Sequence, residues 1–451
     1  MPQHWVVVGA GSAGCVVAAR LVEAGVDVTL VEAGPALRHG SVPGSIAGLD
    51  FFDAMVEPER VEAGLDATRV PGGEPHPYVR GRGEGGCSAV NAMIALPGGA
   101  AWREPFGDAA AWSRAQERVA IPIAEATDDQ LGAVDRALLA AVPDARRAPL
   151  TQRDGQRVTS AEAYVWPHLD STHLTSTTDT TVDRVLFEDR SAVGVRCADG
   201  SEIDADRVVL CAGAIQSPAI LMRSGVDRDG LGSGLSDHPS VSLVLDLVPE
   251  AVSSRGRLAA GALVERDGTQ VLSVNHLDHT AEAEGLGSLL AALIRPVGRR
   301  GRVSLHAERP DDPQAPPVVE FDLVGDRRDL AGLTQAARTA IDVSRLGAIR
   351  EISSAVYVDA FGTTVDDLIG AGTDRFATWL RSGAGDYVHA AGTCAVGAVT
   401  TPDGQVLGRE RLYVCDASLF PVIPDANTHL PTTMLAELVV DRWITAGIMD
   451  E

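Results

Sequence analysis

His4-Trp5-Val6-Val7-Val8-Gly9-Ala10-Gly11-Ser12-Ala13-Gly14 is the stretch that decides the fold, and its reading runs on to Glu32. Trp5–Val8 is apolar at every position, as expected of a strand covered on both faces. Gly9-x-Gly11-x-x-Gly14 follows and leads into a helical stretch to Ala24, stopped by Gly25. Val28–Val31 is the next strand, which completes a βαβ unit. In such a unit Gly9 allows the tight turn, Gly11 lets main chain approach a pyrophosphate, and Gly14 lets the helix pack on the sheet. The helix N-terminus at Ser12 then faces the anion. Glu32 ends the second strand, followed by Ala33, where a carboxylate can accept from a ribose diol. The motif predicts a dinucleotide and leaves NAD and FAD both open.

The chain is 451 residues long and 45% hydrophobic, enough for more than one module with a large core. Its net charge of −24 argues against a nucleic-acid partner. The sequence contains no lysine, so all 38 cationic side chains are arginine. That excludes a Schiff-base lysine and a P-loop lysine. The six cysteines form no C-x-x-C pair, and Cys15, Cys211 and Cys415 lie in apolar runs. They read as small buried hydrophobes, not as a disulfide frame or a metal site. No leader is expected before the strand at Trp5, and no run reaches the length of a membrane span. The expected location is the cytoplasm, with peripheral contact to a membrane left open.

Further along, residues 35–100 are rich in Gly and Pro and read as loop. Asp128–Ala141 reads as a helix. Leu174–Val209 alternates as strands do, with turns at Glu188-Asp189 and Asp199-Gly200, and Val208–Cys211 is a buried strand leading into a Gly/Pro turn. Val241–Leu247, Ala260–Arg266 and Arg302–His306 read as strands of a second module, and Leu330–Leu346 as a helix. The end returns to α/β style with a strand at Leu412–Cys415 and a helix at Pro431–Ile444. The expected fold is α/β: a discontinuous Rossmann-like FAD-binding domain (1–100, 151–240 and 382–451), with a cover segment at 101–150. An α+β substrate domain built on an antiparallel sheet is inserted at 241–381.

Two more glycine-rich strings bear on the site. Gly81-Arg82-Gly83-Glu84-Gly85-Gly86-Cys87-Ser88-Ala89-Val90-Asn91 lets main chain run close against a flat ligand. Cys211-Ala212-Gly213-Ala214-Ile215-Gln216-Ser217-Pro218 follows a strand and uses small residues, suited to the same ligand.

Taken in order, these strings resemble the glucose–methanol–choline (GMC) family of FAD oxidoreductases. Gly81–Asn91 resembles its first signature. Gly213–Val226 resembles the second, with Asp227 where glycine is usual. Leu235-Ser236-Asp237-His238-Pro239 is similar to the family's NLxDHP turn, Gly234 replacing the Asn. Arg157–Ala161 is similar to its RxSAA segment, and Gly301–Leu305 to its SRGxVxL strand. His389-Ala390-Ala391-Gly392-Thr393-Cys394 matches HxxGTC, whose His is the family's active-site base. Asp416-Ala417-Ser418 matches its DAS contact to FAD. The resemblance implies FAD as cofactor, an alcohol-type donor, and His389 as base. Asn427 falls at the second position of the family's catalytic pair, with His429 two residues on as the other candidate. It implies cofactor contacts at Gly9, Gly11, Ser12, Gly14, Glu32, Ala33, Arg82, Gly86, Cys87, Asn91, Val182, Ala212, Gly213, Asp416, Ala417, Asn427 and Thr428.

The chemistry needs such parts. A hydride leaves a carbinol carbon only as the hydroxyl proton departs, and a near-neutral imidazole about 3 Å from the oxygen can take it. Asn427 can donate to the developing alkoxide. FAD supplies N5 as hydride acceptor, and the N-terminus of the last helix suits the negative pyrimidine edge that results. Two departures from the family stand out. Some relatives carry FAD covalently on a His of the first signature, where this chain has Val90, so a non-covalent FAD is expected. Residues 101–156 look abbreviated where relatives cover the substrate channel. That suggests an open site for a bulky donor or for a macromolecular, respiratory-chain or quinone-like acceptor. The compact form resembles the GMC branch linked to the peptide-derived redox cofactor mycofactocin, which would make the donor a peptide-derived alcohol.

Overall fold

The computed structural model describes residues 3–254, 256–277 and 283–448. His4–Val8 is the central strand of a five-stranded parallel sheet. Asp27–Val31 and then Leu174–Thr177 lie on one side of it, Arg207–Leu210 and then Leu412–Val414 on the other. The apolar run at Trp5–Val8 is buried throughout, as a strand covered on both faces must be. This sheet draws strands from both ends of the chain, so the dinucleotide fold is discontinuous as expected.

Ser12–Glu23 packs along the last helix, His429–Thr445. The last helix has 13 of its 17 residues buried, so it is a core helix rather than an amphipathic surface one. Its one buried acid, Glu437, accepts from Arg20 Nε and Nη2, each at 2.9 Å, and from the Tyr164 hydroxyl at 2.9 Å. A buried carboxylate persists only with such pairing.

The second module is a six-stranded antiparallel sheet in the order Ser353–Tyr357, Ser240–Leu247, Leu286–Leu293, Thr269–Val274, Ala262–Arg266, Arg146–Arg147. Helix Arg327–Ser344 lies on it through Leu333, Ala336, Ala337, Ala340 and Ile341, spaced as one helical face. The sheets do not stop at the expected segment borders. Arg146–Arg147, from the cover segment, joins this sheet. Asp66–Thr68 and His76–Pro77 join a mixed sheet with Val318–Glu320, Gly301–Ser304 and Ser233–Leu235.

Several elements differ from their expected bounds for local reasons. The helix expected at Leu330 starts at Arg327, because the Asp326 side chain caps it by accepting from Arg328 N at 2.8 Å. The helix expected from Asp128 begins only at Ala133: Thr127–Gln130 folds into a side-chain-bonded turn first. The Gly/Pro turn expected after the strand at Val208–Cys211 is instead the start of a helix, Gly213–Arg223, that contains Pro218. Proline frees the carbonyl four residues back. That carbonyl, of Ala214, instead accepts from Thr393 Oγ1 at 2.6 Å, so a residue of the HxxGTC string repairs the helix. The last helix begins at His429, two residues before Pro431, which stays within its first turn.

Candidate active site

A cleft of about 850 Å³ runs from the first glycine turn to the HxxGTC string. Every residue expected at the cofactor or in catalysis lines it except Gly14, which is buried beneath in the helix. A Cβ on Gly14 would overlap the Gly9 carbonyl oxygen, which is the close packing expected of the third glycine.

At the cofactor end the glycine strings meet each other. Gly86 has φ +50°, and a Cβ there would lie 2.7 Å from Gly11 Cα. The second string therefore needs glycine for loop-on-loop packing as well as for a ligand. Glu32 ties the loops together. Its Oε2 accepts from Ala10 N at 2.8 Å, and its Oε1 from Gly34 N and Gly83 N, each at 2.9 Å. It thus holds the cradle's main chain, a role not read from the sequence, and Oε2, which accepts only from Ala10 N, keeps lone-pair capacity for a ribose hydroxyl. Asp416 works similarly: it accepts from Gly213 N at 2.9 Å, Ser217 Oγ at 2.6 Å and Ser418 N at 2.8 Å. The Asn91 side-chain oxygen accepts from Met93 N and from Arg157 Nη1, each at 3.0 Å. Cys87 Sγ accepts from Arg80 Nη2 at 2.6 Å. All six cysteines are free, and Cys15, Cys211 and Cys415 are buried as expected.

At the other end three histidines take different places. His238 Nε2 lies 2.9 Å from the Pro424 carbonyl, and its Nδ1 lies 2.9 Å from His389 Nδ1. A carbonyl only accepts, so Nε2 carries the proton of His238. Burial keeps that ring neutral by pushing its pKa down to about 4, which leaves Nδ1 as an acceptor. His389 must then donate from Nδ1, which leaves the lone pair on Nε2; the residue lines the cleft, and no hydrogen bond to Nε2 occurs among the described residues. Burial, then the neighbouring His238 and Arg80, hold the His389 pKa well below the usual histidine value, so its resting form is neutral.

The main chain around His389 is held as firmly. Asp237 accepts from His389 N at 3.0 Å, His238 N at 2.7 Å, Tyr387 N at 3.2 Å and the Tyr78 hydroxyl at 2.7 Å. Tyr78 in turn accepts from Ala390 N at 2.9 Å. Burial and then Asp386 push the Asp237 pKa up to about 7, against the pull of these donors. Val388 sits at φ +53°, a strained position for a β-branched residue, and its carbonyl accepts from Arg80 Nη1 at 2.8 Å. Arg80, Tyr78 and Asp237 are not among the expected site residues, and His238 is one whose string leaves a structural and a functional role equally open. Only the Asp-His-Pro string gave a signal for two of them.

Asn427 lies on the segment that carries the Pro424 carbonyl, is 9% exposed, and leaves its buried Oδ1 without a partner. His429, the other candidate for the pair, bonds through Nδ1 to Ser12 Oγ at 3.0 Å. The structure places it at the start of the last helix, against the first residue of the glycine-turn helix. The cleft's shape, glycine turns, orphaned Asn427 and His429 atoms and poised imidazole fit FAD bound along its length.

Fold and cleft together define a dinucleotide-dependent oxidoreductase. Models of the GMC oxidoreductase family match residues 143–240 and 296–436, and that of an NAD(P)-binding Rossmann-like domain matches 7–41. The chain belongs to the GMC oxidoreductase family. It is 27% identical to a 5-(hydroxymethyl)furfural oxidase of Methylovorus sp. (strain MP688), with 98% of each chain covered. It is 26% identical to an alcohol dehydrogenase [acceptor] of Pseudomonas putida, covering 96% of this chain and 94% of that one. The first of these alignments spans 534 positions, more than the 451 residues of this chain, so that relative carries internal segments absent here. Among solved structures, pyridoxine 4-oxidase from Mesorbium loti superposes with a TM-score of 0.84 at 21% identity, covering 98% of this chain and 99% of that one. A formate oxidase superposes at 0.85 and 20% identity, covering 100% and 99%. At these identities the likeness is one of fold. No helix among the described residues is long and apolar enough to cross a membrane.

Proposed function

We propose that this oxidoreductase oxidises an alcohol carbon with non-covalently bound FAD, His389 acting as the base through Nε2. The observation that carries this reading is the hydrogen-bond chain from His389 through His238 to the Pro424 carbonyl. It fixes one tautomer of His389 and leaves a free lone pair on Nε2. Bound FAD supplies the hydride acceptor. His389 takes the hydroxyl proton at Nε2, while its Nδ1–H stays on His238. Asn427 lines the same cleft, and its N–H groups are the donors that would meet developing negative charge on the substrate oxygen.

Phe51, Met55, Met93, Ile94, Leu272 and Leu290 give the cleft an apolar wall, which suits a bulky, largely apolar alcohol. The short chain supports the finer reading of an open site serving a peptide-derived donor and a quinone-like acceptor in place of oxygen. Val90 at the attachment position of covalent relatives supports a removable FAD. Acid precipitation should release the yellow colour as FAD. An anaerobic panel of alcohols should then identify a donor that bleaches the flavin, with a quinone dye restoring colour faster than air does. Colour that stays in the pellet would refute non-covalent binding, and a flavin that no alcohol bleaches would refute the activity.

A further inference from the structure

His429 takes no part in the chain that orients the base. It is the first residue of the helix His429–Thr445, and its partner Ser12 is the first residue of the helix Ser12–Glu23. The two helix N-termini meet at this pair, each presenting unbonded main-chain N–H groups and the positive end of its dipole. Arg157 adds a third positive influence, near enough to disfavour protonation of the ring after burial has done so. No carboxylate among the described residues pairs with His429. The ring is 8% exposed, lines the cleft, and has a buried Nε2 with no partner among the described residues.

A buried imidazole nitrogen without a partner is costly unless something in the cleft completes it. The positive surroundings favour a negatively charged oxygen. If Ser12 Oγ–H donates to Nδ1, the neutral ring presents Nε2–H as the matching donor. We propose that His429 anchors the cofactor by donating from Nε2 to an anionic oxygen of FAD, and is not the second member of the catalytic pair. This rests on the FAD reading of the cleft. Two parts of FAD offer that chemistry: the pyrophosphate, and the pyrimidine edge that becomes negative on reduction.

The test uses the holoenzyme with His429→Leu and the milder His429→Gln, both checked for native circular dichroism. Free-flavin fluorescence on dilution gives the FAD dissociation constant, and equilibration with a reference dye gives the midpoint potential. His429→Leu should weaken FAD binding by about 10- to 100-fold, lower the potential, or both, the size of one charge-assisted hydrogen bond. His429→Gln, which keeps a donor, should recover part of the loss. Weaker binding at an unchanged potential assigns the pyrophosphate. A lower potential with oxidised FAD held nearly as well assigns the pyrimidine edge. Native affinity and native potential in His429→Leu would overturn the proposal, most plainly if flavin reduction by alcohol slowed as much as in His389→Ala. Native protein that holds no FAD would overturn the cofactor reading itself, an outcome seen before any variant is made. If His429→Leu does not fold, native affinity and potential in His429→Ala, which also lacks the donor, would still contradict it.

Discussion

Where Gly9, Gly11 and Gly86 line the cleft, main chain meets main chain, and one carboxylate, Glu32, gathers three backbone N–H groups into a cradle. Where His389 lines it, the work is done by side chains. His238 lies 151 residues away in sequence, and its own anchor, Pro424, another 186 from it. The first region is a backbone shape that any folded copy of the motif reproduces. The second depends on a strained valine, a buried acid and a tautomer. Substitutions at the cofactor end should therefore act on assembly and affinity, and those at the reactive end on rate and pH dependence.

The sharpest break of the cofactor end is Glu32→Ala. It strands three buried N–H groups at about 1–3 kcal/mol each, less whatever water recovers. Flavin affinity should fall, and the flavin-free protein should melt earlier too. If only affinity falls and the flavin-free melting point is native, Glu32 serves a ribose alone and braces nothing. At the reactive end, Asn427→Ala should slow flavin reduction by about 10²–10³-fold if the amide donates to a developing alkoxide. Its melting point and flavin content should be native. A near-native rate would remove Asn427 from the chemistry.

Smaller effects probe the links between the regions. Thr393→Val leaves the Ala214 carbonyl unpaired beside Pro218, a loss of about 1–3 kcal/mol in stability. Unchanged stability would mean that the helix needs no repair. His238→Asn should move the pH profile instead. With His389 as the proposed base, rate should hold as pH falls until it passes the His389 pKa, which burial, His238 and Arg80 keep below the usual value. Removing the neighbouring ring should shift that inflection upward, toward an ordinary histidine. A profile identical to the native one would show that His238 does not tune the base.

The same contrast explains what could be read in the sequence. The βαβ opening, the glycine turns and Glu32 lie within one short segment, and their spacing follows from local geometry. His389 and Asn427 were legible through strings that resemble a family. Arg80 and Tyr78 carried no such mark, because their roles arise only when Val388 and Asp237 are brought to them across the fold. The glycine and proline after Cys211 signal a turn, and the helix Gly213–Arg223 forms there instead; the residue that satisfies the carbonyl freed by Pro218 lies far away, at Thr393. The three-residue error at Arg327 is different: the Asp326 cap was present in the sequence, and the apolar spacing that begins at Leu330 outweighed it.

The central claim is that His389 Nε2 takes the proton as an alcohol reduces the flavin. Anaerobic rapid mixing of native protein and His389→Ala with a donor that bleaches the flavin tests it directly, at matched flavin content and across pH. The variant should stay folded and yellow and be reduced about 10²–10⁴-fold more slowly, without the native rise in rate with pH. Reduction of His389→Ala at the native rate, with the native pH profile, would contradict it.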